Sequence, residues 1–302
     1  MNKDLTKLLD LSKQDILDIL NLADQIKYDL KHGKEHKALA GKTLAMIFQK
    51  SSTRTRVSFE VGMYQLGGHA LFLNSNDLQM GRGEPIEDTA RVLSRYVDGI
   101  MIRTFAQKEV EDLAKWSTVP VINGLTDFAH PCQTLADLMT IREHLSTLEG
   151  LKLGWVGAGN NVCNSTIVGA LKCGLSVTVA APKGYEPAKE ILDFAKDFPT
   201  FKLTTDPKEA ADKADVLITD VWASMGEEGE AEARKAIFKD YQLNDELMKL
   251  ANPKAVVQHC LPAHKGEEIT ADVFEAHSQE IFDEAENRLH VQKAIMAILM
   301  GK

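Results

Sequence analysis

The sequence predicts an α/β protein with two domains, each a parallel β-sheet flanked by helices, and a ligand site in the cleft between them. Short runs rich in β-branched residues alternate with longer runs of helical spacing, which is the pattern of βα units. The alternation fills the first half and restarts at Lys152. The chain has 302 residues. That length favours two domains, because a domain usually contains about 100–200 residues.

The candidate strands follow in order along both halves. In the first half they are residues 43–49, 70–73, 99–103 and 119–122, with helical stretches near Val57, Glu87 and Val110. In the second half five strands lie in the segments LKLGWVG, LSVTVAA, FKLTT, ADVLITD and AVVQHC. Helical runs separate these segments, so each half is predicted to form its own layered sheet.

Two long helical runs organise the domains. Residues 132–150 have helical apolar spacing and end at Gly150, so this helix is predicted to bridge the two halves. The last periodic run, FDEAENRLHVQKAIMAILM, is predicted to return to the first domain. The predicted domains are therefore 1–145, completed by the C-terminal helix 286–302, and 146–285.

Composition excludes several classes of protein. Asp and Glu number 44 against 35 Lys and Arg, and the formal net charge is −9, which argues against nucleic acid as a main partner. Nowhere do 18 consecutive apolar residues occur, and the first residues form no secretory h-region. The four cysteines show no CxxC pairing. These features predict a cytoplasmic protein with reduced thiols and no membrane association.

The segment SSTRTRVSFE, residues 51–60, predicts an anion site. Ser52 follows a strand and precedes a helical pattern, so it is a candidate N-cap. Helix N-termini bind anions, and the guanidinium groups of Arg54 and Arg56 match phosphate oxygens. The hydroxyls of Ser52, Thr53 and Thr55 would complete the site. The alternative is a capped helix with solvated arginines; the position at a strand end favours the anion site.

Other polar residues follow strands in the first half. His130 and Gln133 come after the PVINGL strand and could point at a carbonyl oxygen, although the histidine could also cap a turn. Arg103 ends the GIMIR strand, where a salt bridge is the alternative. In the glycine-containing loop after residue 78, Gln79 and Arg82 could reach their own site or that of a neighbouring subunit, or remain exposed.

The second half presents groups suited to an amino acid. The turn GWVGAGNNVCNS resembles a dinucleotide-binding turn, but Val162 takes the third glycine position and the next strand lacks the ribose-binding acid. The asparagines at 160, 161 and 164 could bind a carboxylate or be structural. Asp220, at a strand end, could pair with an ammonium group.

A metal site at QHCLPAHKG is not predicted. The spacing of His259, Cys260 and His264 matches no regular zinc pattern. Adjacent residues on an extended strand point to opposite faces, which would separate His259 from Cys260.

These motifs, in this order, resemble the aspartate and ornithine transcarbamylase family over nearly the whole chain. The shared motifs are S-T-R-T-R, residues 52–56, and H-P-x-Q, residues 130–133. The motif D-x-x-x-S-M-G at 220–226 and H-C-L-P at 259–262 resemble the ornithine-using members. Ala158 is a departure, because many relatives carry an acidic residue there.

The resemblance implies a set of binding residues in each half. For carbamoyl phosphate they are Ser52, Thr53, Arg54, Thr55, Arg103, His130, Pro131, Cys132, Gln133, Cys260, Leu261 and Arg288, with Gln79 from an adjacent subunit. For ornithine they are Asn161, Asp220, Ser224 and Met225. By the same likeness the catalytic residues are Arg54, Arg103, His130 and Cys260, the assembly is a trimer or a multiple of trimers, and neither a metal nor an organic cofactor is needed.

The implied reaction is attack of the ornithine δ-amine on the carbamoyl carbon. An alkylamine of pKa about 10.4 is neutral in about one molecule in a thousand near pH 7, so a proton acceptor is required. The sequence leaves Cys260 and the departing phosphate as alternatives. It also leaves open putrescine or acetylornithine as substrate, a non-catalytic binding protein, the direction of the reaction in the cell and the assembly beyond a trimer. The glycines and acids of residues 224–230 predict a closing loop.

Overall fold

The computed structural model describes residues 2–223, 229 and 231–301. The chain divides into two compact units, Met1–Met139 with Asn287–Lys302, and Thr140–Glu286. Both boundaries between the units fall inside continuous helices. The sequence analysis placed these boundaries after residues 145 and 285. Backbone hydrogen bonds continue through each helix, so no turn residue marks the division in the sequence.

The first unit contains a four-stranded parallel sheet in the order β2-β1-β3-β4. Its elements are α1 (Lys13–Lys31), β1 (Thr43–Phe48), α2 (Thr53–Gln65), β2 (His69–Asn74), α3 (Ile86–Leu93), β3 (Gly99–Arg103), α4 (Gln107–Trp116), β4 (Val121–Leu125) and the start of α5 (Pro131–Leu145). The central strands β1 and β3 are almost wholly buried, as expected for parallel strands covered on both faces.

The second unit contains a five-stranded parallel sheet in the order β7-β6-β5-β8-β9. Its elements are β5 (Lys152–Val156), α6 (Asn161–Lys172), β6 (Ser176–Ala180), α7 (Lys189–Ala195), β7 (Phe201–Thr204), α8 (Pro207–Ala211), β8 (Val216–Thr219), α9 (Ala231–Phe238), α10 (Asp245–Met248), β9 (Val256–His259) and α11 (Ala271–Ala276). The long C-terminal helix α12 (Ser278–Met300) begins here and ends in the first unit.

All nine predicted strands are confirmed within the described ranges, although the ends of β1, β2 and β4 differ by one to three residues from the predicted ones. Strand β4 begins at Val121 rather than at 119, because Pro120 lacks the N–H that a ladder requires. Helix α5 ends at Leu145, well before Gly150, because Ser146 adopts a left-handed φ of 63°. None of the helices in the described ranges has the length and hydropathy of a membrane span.

Strand β5 and helix α8 of the second unit approach each other closely through their backbones. A Cβ atom at Gly154 in β5 would lie 2.2 Å from the carbonyl oxygen of Ala210 in α8. Gly62 in α2 is different, because a Cβ atom there would first meet Cε of Met296, at 2.9 Å, which is the end of a flexible side chain.

We therefore expect Gly154→Ala to lower the free energy of unfolding by about 1–3 kcal/mol, because the backbone of α8 must move. Gly62→Ala is the matched control, since Met296 can shift and alanine favours a helix by about 1 kcal/mol. Urea unfolding of both variants checks this. Equal losses in the two variants would contradict the close packing of α8 on β5.

Candidate active site

Polar side chains of the first unit gather at the carboxyl edge of its sheet. Parallel pairing aligns Phe48 of β1 with Arg103 of β3, and Arg103 with Leu125 of β4. The residues that follow these strands therefore share one edge. We call the group formed by Arg54, Thr55, Arg103, His130, Gln133 and Arg288 the anion cluster.

Helix α2 begins as the sequence predicted. Ser52 is the N-cap, and its hydroxyl accepts a hydrogen bond from the amide of Thr55 at 3.2 Å. Arg54, in the first turn, is half-buried. The first-turn amides and the helix dipole at this end favour an anion.

The prediction that Arg56 serves the anion site is wrong. Its guanidinium lies 3.7 Å from the ring centroid of Phe72, and its Nε donates to Glu60 at 3.0 Å. These contacts engage the Arg56 guanidinium with Phe72 and Glu60 instead of with the anion cluster.

Thr55 is the centre of the anion cluster. Its hydroxyl oxygen accepts from Nη1 of Arg103 at 3.4 Å and from Nη2 of Arg288 at 3.3 Å. All three residues are buried. Two guanidinium groups from elements distant in sequence are thus held beside the N-terminus of α2.

A second set of hydrogen bonds fixes Arg288. Its Nη1 donates to Gln133 Oε1 at 2.7 Å, and its Nε donates to Gln292 at 3.0 Å. Gln133 in turn donates to Asp137 at 2.8 Å. Gln133, predicted to face a carbonyl oxygen, is therefore engaged with Arg288, and its role in substrate binding stays a prediction. Periodicity gave no sign of Arg288, which is 155 residues from Gln133 in the chain.

His130 is buried and carries no charge at neutral pH. Burial lowers the pKa of His130 well below its usual value, and the charges of Arg288, Arg103 and Arg54 lower it further. A neutral imidazole can donate one hydrogen bond without adding charge. The anion cluster therefore combines three guanidinium groups with a neutral donor, a combination suited to a phosphorylated ligand that also has a carbonyl oxygen.

Pro131 and Cys132 open α5. Pro131 is its first residue, where a proline is tolerated. Cys132 donates its thiol to the carbonyl oxygen of Asn123 at 3.5 Å, and burial raises its pKa to about 11. The thiol therefore remains protonated at physiological pH.

Gln79, Arg82 and Thr53 are exposed. Gln79 and Arg82 lie in a 3₁₀ turn, Gln79–Arg82. Among the described residues, the side chain of Gln79 makes no hydrogen bond to the anion cluster of its own chain. The expectation that Gln79 serves a neighbouring subunit stays a prediction.

In the second unit, Asp220 follows β8 and is nearly buried. Its Oδ2 accepts from Asn160 Nδ2 at 2.6 Å, and its Oδ1 accepts from the Cys260 thiol at 3.0 Å and from the amide of Val221 at 2.8 Å. We call Asn160, Asp220 and Cys260 the Asp220 cluster. In the last of these side-chain contacts the thiol donates and the carboxylate oxygen accepts.

The three asparagines of the glycine-containing turn have different roles. Asn160 caps α6 by accepting from the amides of Val162 and Cys163, which turns its NH₂ group toward Asp220. Asn164 accepts from the amide of Ala188 at 3.0 Å and is structural, as the alternative interpretation proposed. Asn161, the residue predicted to bind ornithine, is half-buried, and its side chain accepts from the amide of Val162 at 3.0 Å.

Two other predicted ornithine-binding residues, Ser224 and Met225, lie outside the described residues, as does most of the predicted closing loop. Leu261 is half-buried beside Cys260, adopts a left-handed φ of 57° and precedes a cis peptide bond to Pro262.

The argument that His259 and Cys260 face apart is wrong. Donor atoms of Asp220, His259 and Cys260 all lie within 4.8 Å of one another. The strand ends at His259, so strand alternation does not govern Cys260. Both ring nitrogens of His259 are engaged, by the amide of Leu261 at 2.9 Å and by Glu268 at 3.0 Å. A metal at His259 would have to displace one of these contacts.

The fold consists of two parallel-sheet units, one with the anion cluster and the other with the Asp220 cluster. Models of two domains match the chain: "Aspartate/ornithine carbamoyltransferase, carbamoyl-P binding domain" over residues 3–143, and "Aspartate/ornithine carbamoyltransferase, Asp/Orn binding domain" over residues 149–299. The chain belongs to the aspartate/ornithine carbamoyltransferase family.

Similar proteins match over their full length. The ornithine carbamoyltransferase of Thermococcus kodakarensis is 55% identical, and the match covers 99% of this chain and 96% of that protein. The anabolic ornithine carbamoyltransferase of Pyrococcus furiosus is also 55% identical, with 99% and 96% covered. A solved structure of ornithine carbamoyltransferase from Pyrococcus furiosus superimposes with a TM-score of 0.94 at 55% identity, covering 99% of this chain and 97% of that one.

The lowered pKa of His130 predicts a loss of stability in acid. Below about pH 6.5 the unfolded imidazole binds a proton and the folded one does not, so stability falls with pH by up to about 1.4 kcal/mol per unit. Replacement His130→Asn should remove this part of the pH dependence, measured by urea unfolding between pH 7.5 and 5. An unaltered slope in the His130 variant would contradict a neutral imidazole.

Proposed function

We propose that this protein transfers the carbamoyl group of carbamoyl phosphate to the δ-amine of L-ornithine, giving L-citrulline and phosphate. The observation that carries this proposal is the convergence of Arg103 and Arg288 on Thr55, beside the N-terminus of α2 and a neutral His130. It is supported by full-length similarity to proteins named ornithine carbamoyltransferase.

The anion cluster binds carbamoyl phosphate. The first-turn amides of α2, the hydroxyls of Ser52, Thr53 and Thr55, and the guanidinium groups hold the phosphate dianion. His130 donates a hydrogen bond to the carbamoyl oxygen. Because Gln133 holds Arg288 in place, the donors are already oriented before the substrate arrives.

Charge develops on the carbonyl oxygen as the amine attacks and on the phosphate as it departs. Arg54, Arg103 and His130 stabilise this charge, and an oriented donor of this kind can contribute about 3–4 kcal/mol. A neutral His130 suits this role, since it donates a hydrogen bond without giving up a proton. No covalent bond to the enzyme is required.

The Asp220 cluster, with Asn161, binds ornithine. The carboxylate of Asp220 pairs with the α-ammonium group and Asn161 faces the α-carboxylate. The family resemblance adds Ser224 and Met225, which lie outside the described residues. Putrescine lacks both α-groups, and aspartate would need cations where Asp220 lies. The composition of this cluster therefore favours ornithine over putrescine and aspartate.

The attacking amine must lose a proton. Cys260 already holds its hydrogen, which it shares with Asp220, so it cannot accept another in this state. The departing phosphate is then the acceptor, and Cys260 with Leu261 shapes the reacting centre. An alkaline rise in rate is the expected consequence, because only the neutral amine attacks.

A citrulline assay tests the proposed reaction. We expect product from carbamoyl phosphate with ornithine and little with putrescine, acetylornithine, lysine or aspartate. Arg54→Ala should lower kcat by about 10²–10³-fold, because one charge-stabilising donor is lost. The control Arg91→Ala removes an exposed arginine that stacks on Trp116, and its activity should be unchanged. Absence of citrulline with ornithine would refute the proposal.

Separate observations support a direction for the reaction and a cellular compartment for the protein. The Pyrococcus furiosus relative is named anabolic, which favours the direction toward citrulline and a role in arginine biosynthesis. The four cysteines are free, three of them buried, and this fits a protein of the reducing cytoplasm.

We also propose a homotrimer. Strand β2 is at an edge of its sheet, and Leu71 and Phe72 on it are exposed. Tyr64 on α2 is 79% exposed and Val57 is 50% exposed. An apolar edge strand of this kind is normally covered, and a second copy of the chain would cover it. The exposed Gln79 follows β2 in the chain and would reach the anion cluster of that copy.

Hybrid trimers test the shared site. Gln79→Ala and Arg54→Ala should each be nearly inactive alone. When the two are co-expressed, each hybrid trimer should regain one complete site, with Arg54 from one subunit and Gln79 from its neighbour. Citrulline formation by purified hybrids checks this, with trimer mass measured by light scattering. Hybrids that form and remain inactive would exclude a contribution of Gln79 across subunits.

A further inference from the structure

His259 is a buried residue to which the sequence analysis gave no role. Its backbone amide donates to Glu284 Oε2 at 2.9 Å, its Nδ1 lies 2.9 Å from the amide nitrogen of Leu261, and its Nε2 lies 3.0 Å from Glu268 Oε1. His259 and Glu284 are almost wholly buried, and Glu268 is completely buried. The backbone and ring of His259 are thus fixed at three points.

These contacts determine the tautomer of the imidazole. The amide of Leu261 can only donate, so Nδ1 must be the acceptor and carry no hydrogen. The hydrogen of the neutral ring is then on Nε2 and is donated to Glu268. Glu268 Oε1 also accepts from the amide of His264 at 2.6 Å, which confirms that this oxygen is an acceptor.

The tautomer has a consequence for the backbone. Leu261 adopts a left-handed φ of 57°, which is uncommon for a residue with a branched side chain. Its amide is held by Nδ1 of His259, two residues earlier. Cys260 therefore lies between two fixed backbone amides, and its thiol is directed onto Asp220 Oδ1 at 3.0 Å.

We infer that Glu268 is a positioning residue for Cys260 and Asp220. It holds His259 with the hydrogen on Nε2, which leaves Nδ1 to fix Leu261 and aims the Cys260 thiol at Asp220. Its effect on catalysis rests on the proposed function, whereas its effects on the imidazole and on the thiol do not.

The variant Glu268→Leu removes the acceptor without adding a polar group. We expect kcat/KM for ornithine to fall by about 10- to 100-fold, the usual effect of losing a group that orients a functional histidine. The matched control is Glu267→Gln, since Glu267 pairs with Lys235 instead and its change should have no effect.

A double-mutant cycle tests whether Glu268 acts through His259. In His259→Asn the side-chain oxygen can accept from the amide of Leu261 without any contact to Glu268. If the inference holds, adding Glu268→Leu to His259→Asn causes no further loss of kcat/KM for ornithine. An equal loss in the wild-type and His259→Asn backgrounds would overturn it.

Two measurements do not depend on activity. In wild-type protein with ¹⁵N-labelled histidine, the signal that disappears in His259→Asn should be that of a neutral ring protonated at Nε2. A ring protonated at Nδ1, or a charged ring, would overturn the inference even if Glu268→Leu does not fold.

Alkylation of Cys260, the one cysteine that is not buried, should be several-fold faster in Glu268→Leu. An unchanged rate in a folded variant would also overturn it.

If ornithine yields no citrulline in the wild-type protein, the proposed function fails. The tautomer and the alkylation rate still decide the role of Glu268 in that case, so the two failures are distinguishable.

Discussion

Parallel strand pairing is the constraint on which both clusters depend. Each parallel strand needs a crossover before the next one, so the residues that follow every strand lie at the same edge of the sheet. In the first unit this edge collects the N-terminus of α2, the last residue of β3 and the start of α5. In the second unit it collects the residues that follow β5, β8 and β9, which include Asn160, Asp220 and Cys260. The same rule therefore positions the chemistry of both units.

The first unit concentrates positive charge in a chain whose net charge is negative. Burying guanidinium groups costs free energy unless they are hydrogen-bonded, and here Thr55 and Gln133 supply acceptors. The neutral His130 follows from the same arrangement, because three nearby cations and burial oppose its protonation. A dianion entering this site meets donors that are already oriented, so little reorganisation accompanies binding.

In the second unit, neighbouring groups hold the Asp220 carboxylate in a fixed position. The side-chain oxygen of Asn160 accepts hydrogen bonds from the first amides of α6, so its NH₂ group faces Asp220. Cys260 is held from the other side, since His259 fixes the amide of Leu261 and Glu284 fixes the amide of His259. A strained backbone at Leu261 is thus maintained by side-chain hydrogen bonds, which is typical of positions where function requires a particular geometry.

The sequence by itself determined the nine strands, the cap at Ser52 and the position of Asp220 at a strand end, because these depend on local periodicity and turn chemistry. The tertiary structure decided which side chains meet. Arg288 contacts Thr55 and Gln133 only because α12 returns to the first unit. Arg56 packs on Phe72 instead of joining the anion cluster. Glu268 contacts His259 only because the chain turns after β9. Contacts between residues far apart in the chain leave no periodic signal, so only the folded arrangement reveals them.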